Sequence, residues 1–497
     1  MTRIPHLVST AWLGLISAAL AAGPVHQLEV DPGKSLNENF LGLGAVYQGF
    51  AFMPEHEYRG FDAADREREF ARVKSMGLKL ARTWYRPDYS CPRGLQGEFD
   101  FETPRMRAFE KWLEETRKLG IDVALQAGWG FPHDTYFGHA AMDAERDPAR
   151  YAEWVSASVR HLVETRGFTH IKYLVLFTEP NHSSWGPSTQ PHDAAPPEGH
   201  TMWSYYVKVV RAVHDRMVAD GTRKLVLFTG ANDTDNPPDF KNQCHLRTAV
   251  RDLNDVIDIY AGHSYLGPDK GYADWMKLNA MMAEEVKATG KPLWLDEYNV
   301  ASNWEEGLRS KPEHGNYLAQ VVASSLNSGQ QTSLLWALFD QQYVPPRSDE
   351  PLGNSFFHGV LRWGLAPWPR DIIDDPLNPY PAYYAWAMMC KYLGGTKAHI
   401  LATTSTDDVF LSAVRQADGK ITLLVINGSK EAAPFRIRSS APLNTTLRRH
   451  LYDPARIEPT PEAIIPPADK TFENIGDSLE DTLPPLGVAV YTNLTEK

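Results

Sequence analysis

Two glutamates stand where short apolar runs end: Glu179 in Phe177-Thr178-Glu179-Pro180-Asn181, and Glu297 in Trp294-Leu295-Asp296-Glu297-Tyr298-Asn299. Other runs end in groups able to bind or orient a carboxylate or a ring: Arg82-Thr83-Trp84, Gly262-His263-Ser264-Tyr265 and Trp336. Two opposed carboxyls are what glycosidic bond hydrolysis requires. One is held protonated and gives its proton to the leaving oxygen; the other, ionised, attacks the anomeric carbon or activates water. Burial and like charge raise the pKa of one, while donors such as Arg82 and Tyr265 hold the other, here Glu297, ionised. A single Glu at a strand end is most often a solvated loop charge. Two of them, each after an apolar run and each with Arg, His-x-Tyr and Trp on neighbouring runs, form a constellation.

Something must carry these residues to one place. From residue 40 to about 340, short apolar runs alternate with longer amphipathic ones. The pattern predicts strands over Phe40–Tyr47, Leu78–Trp84, Asp122–Ala127, Lys172–Thr178, Lys224–Thr229, Val256–Ala261, Pro292–Asp296 and Ser333–Phe339. It predicts helices over Asp65–Met76, Arg105–Leu119, Ala152–Thr165, Met202–Ala219, Ala273–Ala288 and Gly315–Ser328, with a shorter one before Val256. Eight such alternations point to an α/β fold, the (β/α)₈ TIM barrel, whose active site lies at the C-terminal strand ends. Glu179 and Glu297 would then end the fourth and seventh strands and face each other across the mouth. A doubly wound nucleotide-binding sheet is the alternative, but Gly42-Leu43-Gly44 has no third glycine at the required spacing.

Past residue 380 the pattern changes. Ala382–Leu393 reads as an apolar helix, followed by alternating runs at Val409–Arg415, Ile421–Ile426, Phe435–Arg438, Leu447–Tyr452 and Val488–Tyr491. Asp418-Gly419 between two of them is a hairpin turn. This predicts a C-terminal all-β sandwich over residues 395–497, after a barrel over 37–394. Residues 23–36 would add a strand to the sandwich. Residues 1–22 read as a signal peptide, with Arg3, the apolar run Leu7–Leu20 and small residues Ala19-Leu20-Ala21-Ala22-Gly23 for cleavage. The expected location is secreted or periplasmic, with no membrane span after cleavage.

The chain has 497 residues and a formal net charge of −12, from 62 acidic and 50 basic residues. Nothing in that balance attracts nucleic acid or an anionic membrane surface. Three cysteines make no disulfide framework, although one bridge between Cys91 and Cys244 is open. Aromatic residues make up 11%, with 14 Trp. Trp129, Phe131, Tyr136, Trp185, Trp304 and Tyr47 follow strand ends and are placed to stack on sugars, although ordinary packing accounts equally for any one of them. His133, His139, His182 and His200 show no metal-ligand spacing, so neither a metal nor an organic cofactor is expected. No Gly-x-Ser-x-Gly elbow supports an esterase.

Taken with their order along the chain, Arg82, Glu179-Pro180, His263-x-Tyr265, Glu297 and Trp336 resemble glycoside hydrolase clan A. The run Asp296-Glu297-Tyr298-Asn299-Val300 is similar to the nucleophile segment of family 51, and the barrel–helix–sandwich order to the layout of family 39. The resemblance implies a retaining enzyme with Glu179 as acid/base and Glu297 as nucleophile. It further implies that Arg82 and Tyr265 orient the nucleophile and that Trp336 floors the subsite of the cleaved sugar. Trp129, Asn181 and His263 join the candidate substrate contacts. The clan usually places Asn before the acid/base to bind the sugar 2-hydroxyl; here Thr178 stands there, with one hydroxyl and shorter reach. The expected substrate is an oligo- or polysaccharide. A catalytically inactive carbohydrate-binding barrel and a transglycosidase are the rival readings, and oligomeric state is not legible.

Overall fold

The computed structural model describes residues 24–53, 61–94, 96–127, 147–179, 202–235, 245–300, 306–342, 355–356, 358–362, 377–395 and 397–495. The chain enters as a long strand, β1 (His26–Phe40), before the first barrel strand, β2 (Leu43–Val46). The barrel continues with α1 (Ala63–Met76), β3 (Leu80–Tyr85), α2 (Pro104–Lys118), β4 (Asp122–Ala127), α3 (Pro148–Val159), β5 (Ile171–Val175) and α4 (Met202–Asp220). It finishes with β6 (Leu227–Asp235), α5 (His245–Asp252), β7 (Ile259–Ser264), α6 (Tyr272–Lys287), β8 (Leu293–Tyr298), α7 (Glu313–Asn327) and β9 (Thr332–Leu335). Strands β2 to β9 pair in parallel and close, β9 returning to β2 through Leu43 opposite Ser333.

Local chemistry sets the helix ends. Asp62 caps α1 in a capping box with Asp65, and Gly77 ends it at φ 64°. Thr103 accepts from the Met106 N–H at the start of α2, and Asp147 from Arg150 at the start of α3. The helix expected over Ala152–Thr165 is α3 extended by a π-helical turn at Arg160–Thr165.

Inside the barrel a plug of Leu80, Ala124, Tyr173, Val175, Ile259, Ala261, Trp294 and Leu334 fills the lumen, with Tyr173 and Trp294 edge to face at 4.6 Å. Because side chains alternate along a strand, the next inward layer lies two residues further on. That step leads from Leu80 to Arg82, from Ala124 to Gln126, from Ala261 to His263, from Trp294 to Asp296 and from Leu334 to Trp336. The plug is therefore the floor on which the polar layer stands.

After the barrel comes α8 (Pro381–Leu393), buried nearly all round, and then strands β10 (Ala398–Thr404), β11 (Val409–Arg415), β12 (Ile421–Asn427), β13 (Ala433–Ser439), β14 (Thr445–Tyr452), β15 (Ala468–Ile475), β16 (Ser478–Leu483) and β17 (Val488–Thr492). With β1 they form one sheet in the order β15-β14-β17-β12-β11-β10-β1-β13-β16. The sandwich is this sheet curled on itself: its two end strands meet where Lys470 of β15 binds Asp481 of β16 at 2.9 Å. The curled sheet encloses its own core, which includes Leu28, Leu411, Leu423, Ile437 and Tyr491. The bend falls in β1, which pairs in parallel with β13 near Leu28 and antiparallel with β10 further along.

Leu28 is fully buried in that second core. Leu28→Ala should lower unfolding stability by about 2–5 kcal/mol through lost burial and a cavity. Urea denaturation checks this; a change under about 0.5 kcal/mol would mean that β1 contributes little to the sandwich.

Candidate active site

Arg82 is the centre of the polar layer and is fully buried. Its Nε donates to Gln126 Oε1 at 3.1 Å, and Nη2 to the Thr178 hydroxyl at 3.1 Å. Nη1 lies 2.8 Å from Glu297 Oε1, 3.2 Å from Asp296 Oδ2 and 3.1 Å from the Asp296 carbonyl. One guanidinium thus ties β3 to β4, to the end of β5 and to β8.

Glu297 receives two further donors. The Tyr265 hydroxyl donates to Oε2 at 2.8 Å, and His263 Nδ1 stands 3.2 Å from the same oxygen. Thr178 Oγ1 faces Oε1 at 3.5 Å. Burial pushes this carboxyl up, while His263 and Arg82 pull it back. Burial likewise raises Asp296 against the pull of Arg82 and His263. Tyr265 is held well above its ordinary value, by burial first and then by Glu297, so it stays a donor. For His263, burial acts downward, yet Glu297, Asp296 and Glu179 together bring the ring up to about 9.

Glu179 follows β5 and is less enclosed, its side chain 23% exposed. His263 Nδ1 lies 2.8 Å from its Oε1. Its backbone takes the left-handed region at φ 47°, as does Asn232 at φ 57°. Asn232 clamps the segment at both ends: its carbonyl accepts from the Glu179 N–H at 2.8 Å, and its side-chain amide donates to the Phe177 carbonyl at 3.0 Å.

Two bulges make this possible. Between β6 and β7 the register skips Asn232, and between β7 and β8 it skips Asp296, so that His263 faces Glu297. Alternation alone sends Asp296 inward and its neighbour outward. The bulge lets Asp296 and Glu297 share one face, a common device beside active sites.

Glu179, His263 and Glu297 each present an atom within 4.8 Å of the others, and no other such trio occurs among the described residues. It makes a poor cation cradle, because the Arg82 guanidinium already stands 2.8 Å from Glu297 and Nδ1 of His263 is turned to both carboxyls. What the arrangement does offer is two carboxyls in unlike surroundings, each with an oxygen within 4.8 Å of the other.

The structure brings together Arg82, Thr178, Glu179, His263, Tyr265 and Glu297 from the residues singled out in the sequence. Trp336 follows β9, half-buried, with its ring 5.5 Å from Trp84. Trp129 and Asn181 lie outside the described residues, as do Phe131, Tyr136, Trp185, Trp304, Cys244 and the four loop histidines. Two readings that the sequence leaves open are decided. Tyr47 is no rim aromatic but a core residue, edge to face with Trp112 and bonded to buried Glu69 at 2.6 Å. Cys91 is a buried free thiol, not half of a bridge. Three participants had been passed over: Gln126, Asp296 and Asn232. A polar residue two places after a lumen residue was the available sign for the first two; Asn232 carries only its type's tolerance of left-handed backbone.

The family model described as "Glycosyl hydrolase catalytic core" matches residues 149–340, which include Glu179, His263, Tyr265, Glu297 and Trp336. The chain is a glycoside hydrolase. No curated protein matches it by sequence. Among solved structures it is similar to the glycoside hydrolase family 30 subfamily 8 xylanase Xyn30A from Clostridium acetobutylicum, at 14% identity and TM-score 0.60, over 94% of this chain and 99% of that one. It is also similar to a conserved exported protein from Bacteroides fragilis (12%, TM-score 0.67, 94% and 100% covered) and a glucosidase from Croceicoccus marinus (14%, 0.62, 95% and 99%). At such identity these show a shared fold, the barrel with its β-domain. They do not bear out the likenesses to families 39 and 51.

Asn232 generates a prediction. Asn232→Gly and Asn232→Ala both lose the bond to Phe177, but only alanine resists the left-handed backbone. The glycine variant should be the more stable by about 1 kcal/mol, read from chemical denaturation. Equal stabilities would show that the backbone there relaxes out of the clamp.

Proposed function

We propose that this glycoside hydrolase is a retaining enzyme of clan A, exported from the cell, that cleaves O-glycosidic bonds of an oligo- or polysaccharide by double displacement. The observation that carries the reading is the pair of carboxyls with oxygens within 4.8 Å of each other. Oxygens that close favour the shorter carboxyl spacing of a retaining pair, about 5–5.5 Å, over the roughly 6.5–9.5 Å that an inverting pair leaves for a water. Glu297, deeper and held by Arg82 and Tyr265, is the nucleophile; Glu179, more open to the mouth, is the acid/base.

In the first step Glu297 attacks the anomeric carbon as Glu179 protonates the departing oxygen. In the second, Glu179 takes a proton from water, which displaces the Glu297 ester and releases the sugar with its configuration retained. The Tyr265 and Arg82 donors hold the attacking carboxylate in one orientation, so little reorganisation is needed during reaction. Trp336 provides an aromatic face beside the pair. Thr178 spends its hydroxyl within the cluster, between Arg82 and Glu297, which leaves the sugar's 2-position a weaker contact than an amide would give. Export agrees with the Leu7–Leu20 apolar run and with the exported relative; no helix among the described residues is long and apolar enough to cross a membrane.

Aryl glycosides, xylan and β-glucans form the first assay panel, since the fold relatives include a xylanase and a glucosidase. Glu297→Ala should reduce turnover by about three orders of magnitude or more, with azide restoring it as the inverted glycosyl azide. Glu179→Ala should slow poor leaving groups far more than good ones, with azide then giving retained product. If wild type and Glu297→Ala behave alike on every glycan, the chain is a sugar-binding barrel instead.

A further inference from the structure

The reacting pair is accompanied by a third carboxyl, a buried one, that the two-step chemistry does not use. Asp296 is 1% exposed, and its Oδ1 is buried without a hydrogen-bond partner. That oxygen lies 3.4 Å from His263 Nε2, on the side of the ring opposite the nitrogen that serves Glu179 and Glu297. We infer that Asp296 is a positioning residue, the counter-ion that keeps His263 an imidazolium, so that one charged ring addresses both reacting carboxyls. The inference rests on the reading of Glu179 and Glu297 as the reacting pair.

Proton counting supports it. A neutral imidazole carries one N–H. Placed on Nδ1, that proton serves Glu179 at 2.8 Å and Glu297 at 3.2 Å, and Nε2 is left bare beside Asp296. A second proton on Nε2 gives the Asp296 oxygen the donor it lacks. Arg82 Nη1 stands 3.3 Å from the same nitrogen but is closer to Glu297 Oε1 at 2.8 Å and Asp296 Oδ2 at 3.2 Å.

Charge counting agrees. The ring is met by Arg82 from β3, Glu179 after β5, Asp296 and Glu297 from β8, and Tyr265 next to its own strand. With Arg82 and His263 positive, Asp296 and Glu297 negative and Glu179 protonated, the site is neutral. After the first step Glu297 is a neutral ester and Glu179 a carboxylate, and the site is neutral again. Asp296 thus allows the ring to keep its charge through both steps without leaving a net charge in a largely buried place. The ring's rise to about 9 against the pull of burial points the same way.

The test is nitrogen NMR on histidine-labelled full-length protein, with the His263 signals assigned by their loss in His263→Gln. The wild-type ring should be doubly protonated at pH 7. In Asp296→Asn its midpoint should fall by about one pH unit or more, the effect of removing a nearby opposite charge, and Asp296→Glu should recover part of the loss. Stability gives a second reading. A ring raised from 6.5 to about 9 by folding stabilises the protein fully below pH 6.5 and loses that contribution as pH rises through 9. The melting-temperature gap between wild type and Asp296→Asn should therefore narrow over that window. A singly protonated wild-type ring at pH 7, or a midpoint unmoved in Asp296→Asn, overturns the inference; the first is read on wild type, with His263→Gln needed only for assignment. Neither NMR result needs substrate, so a chain that turns over no glycan yet shows the shift would sink the hydrolase mechanism and leave the counter-ion role standing.

Discussion

A buried guanidinium is the constraint around which the barrel mouth is organised. Removing Arg82 from water costs several kcal/mol unless its charge and its donors are met inside the protein. The structure meets them with Gln126, Thr178, Asp296 and Glu297, drawn from three other parts of the barrel. Each of these groups is in turn fixed by the same bonds. The orientation of Glu297, the place of Thr178 and the proximity of β3 and β8 across the lumen follow from satisfying one cation.

The rest of the barrel can be read as support for that cluster. The apolar plug of Trp294, Tyr173 and Leu80 keeps water from beneath it, which strengthens every charge interaction above. Two bulges then break the strand period where chemistry needs it: one places Glu297 beside Asp296, the other turns Asn232 to hold the Glu179 segment. Among the described residues, the curled β-domain supplies no contact to the Arg82 cluster. Buried Asn316 of α7 donates to carbonyls of Asn427 and Leu486, and Trp386 of α8 donates to Tyr298, so the β-domain and α8 brace the barrel from outside.

Barrel strands were legible because a parallel sheet covered on both faces must be written in continuous apolar runs. Asp122–Ala127 has the boundaries that its residues imply, and so, in the β-domain, does the buried strand Val409–Arg415. Strands β15 and β16 were not legible. They are polar edge strands, mostly exposed, whose pairing depends on the sheet and not on their own composition. Tyr47 was left undecided for the opposite reason: an aromatic at a strand end has the same sequence signature whether it meets a ligand or the core.

By itself the sequence determined the period of eight alternations, the two glutamates at strand ends and the residue types able to serve them. Each is a property of short stretches, set by burial and hydrogen-bonding needs that a few neighbouring residues express. Only the tertiary structure decided that Asp296 shares a face with Glu297, that Asn232 clamps Glu179 and that one histidine stands between both carboxyls. Those are relations between strands far apart in the chain, and bulges that shift a register by one residue leave no periodic mark in the strand that carries them.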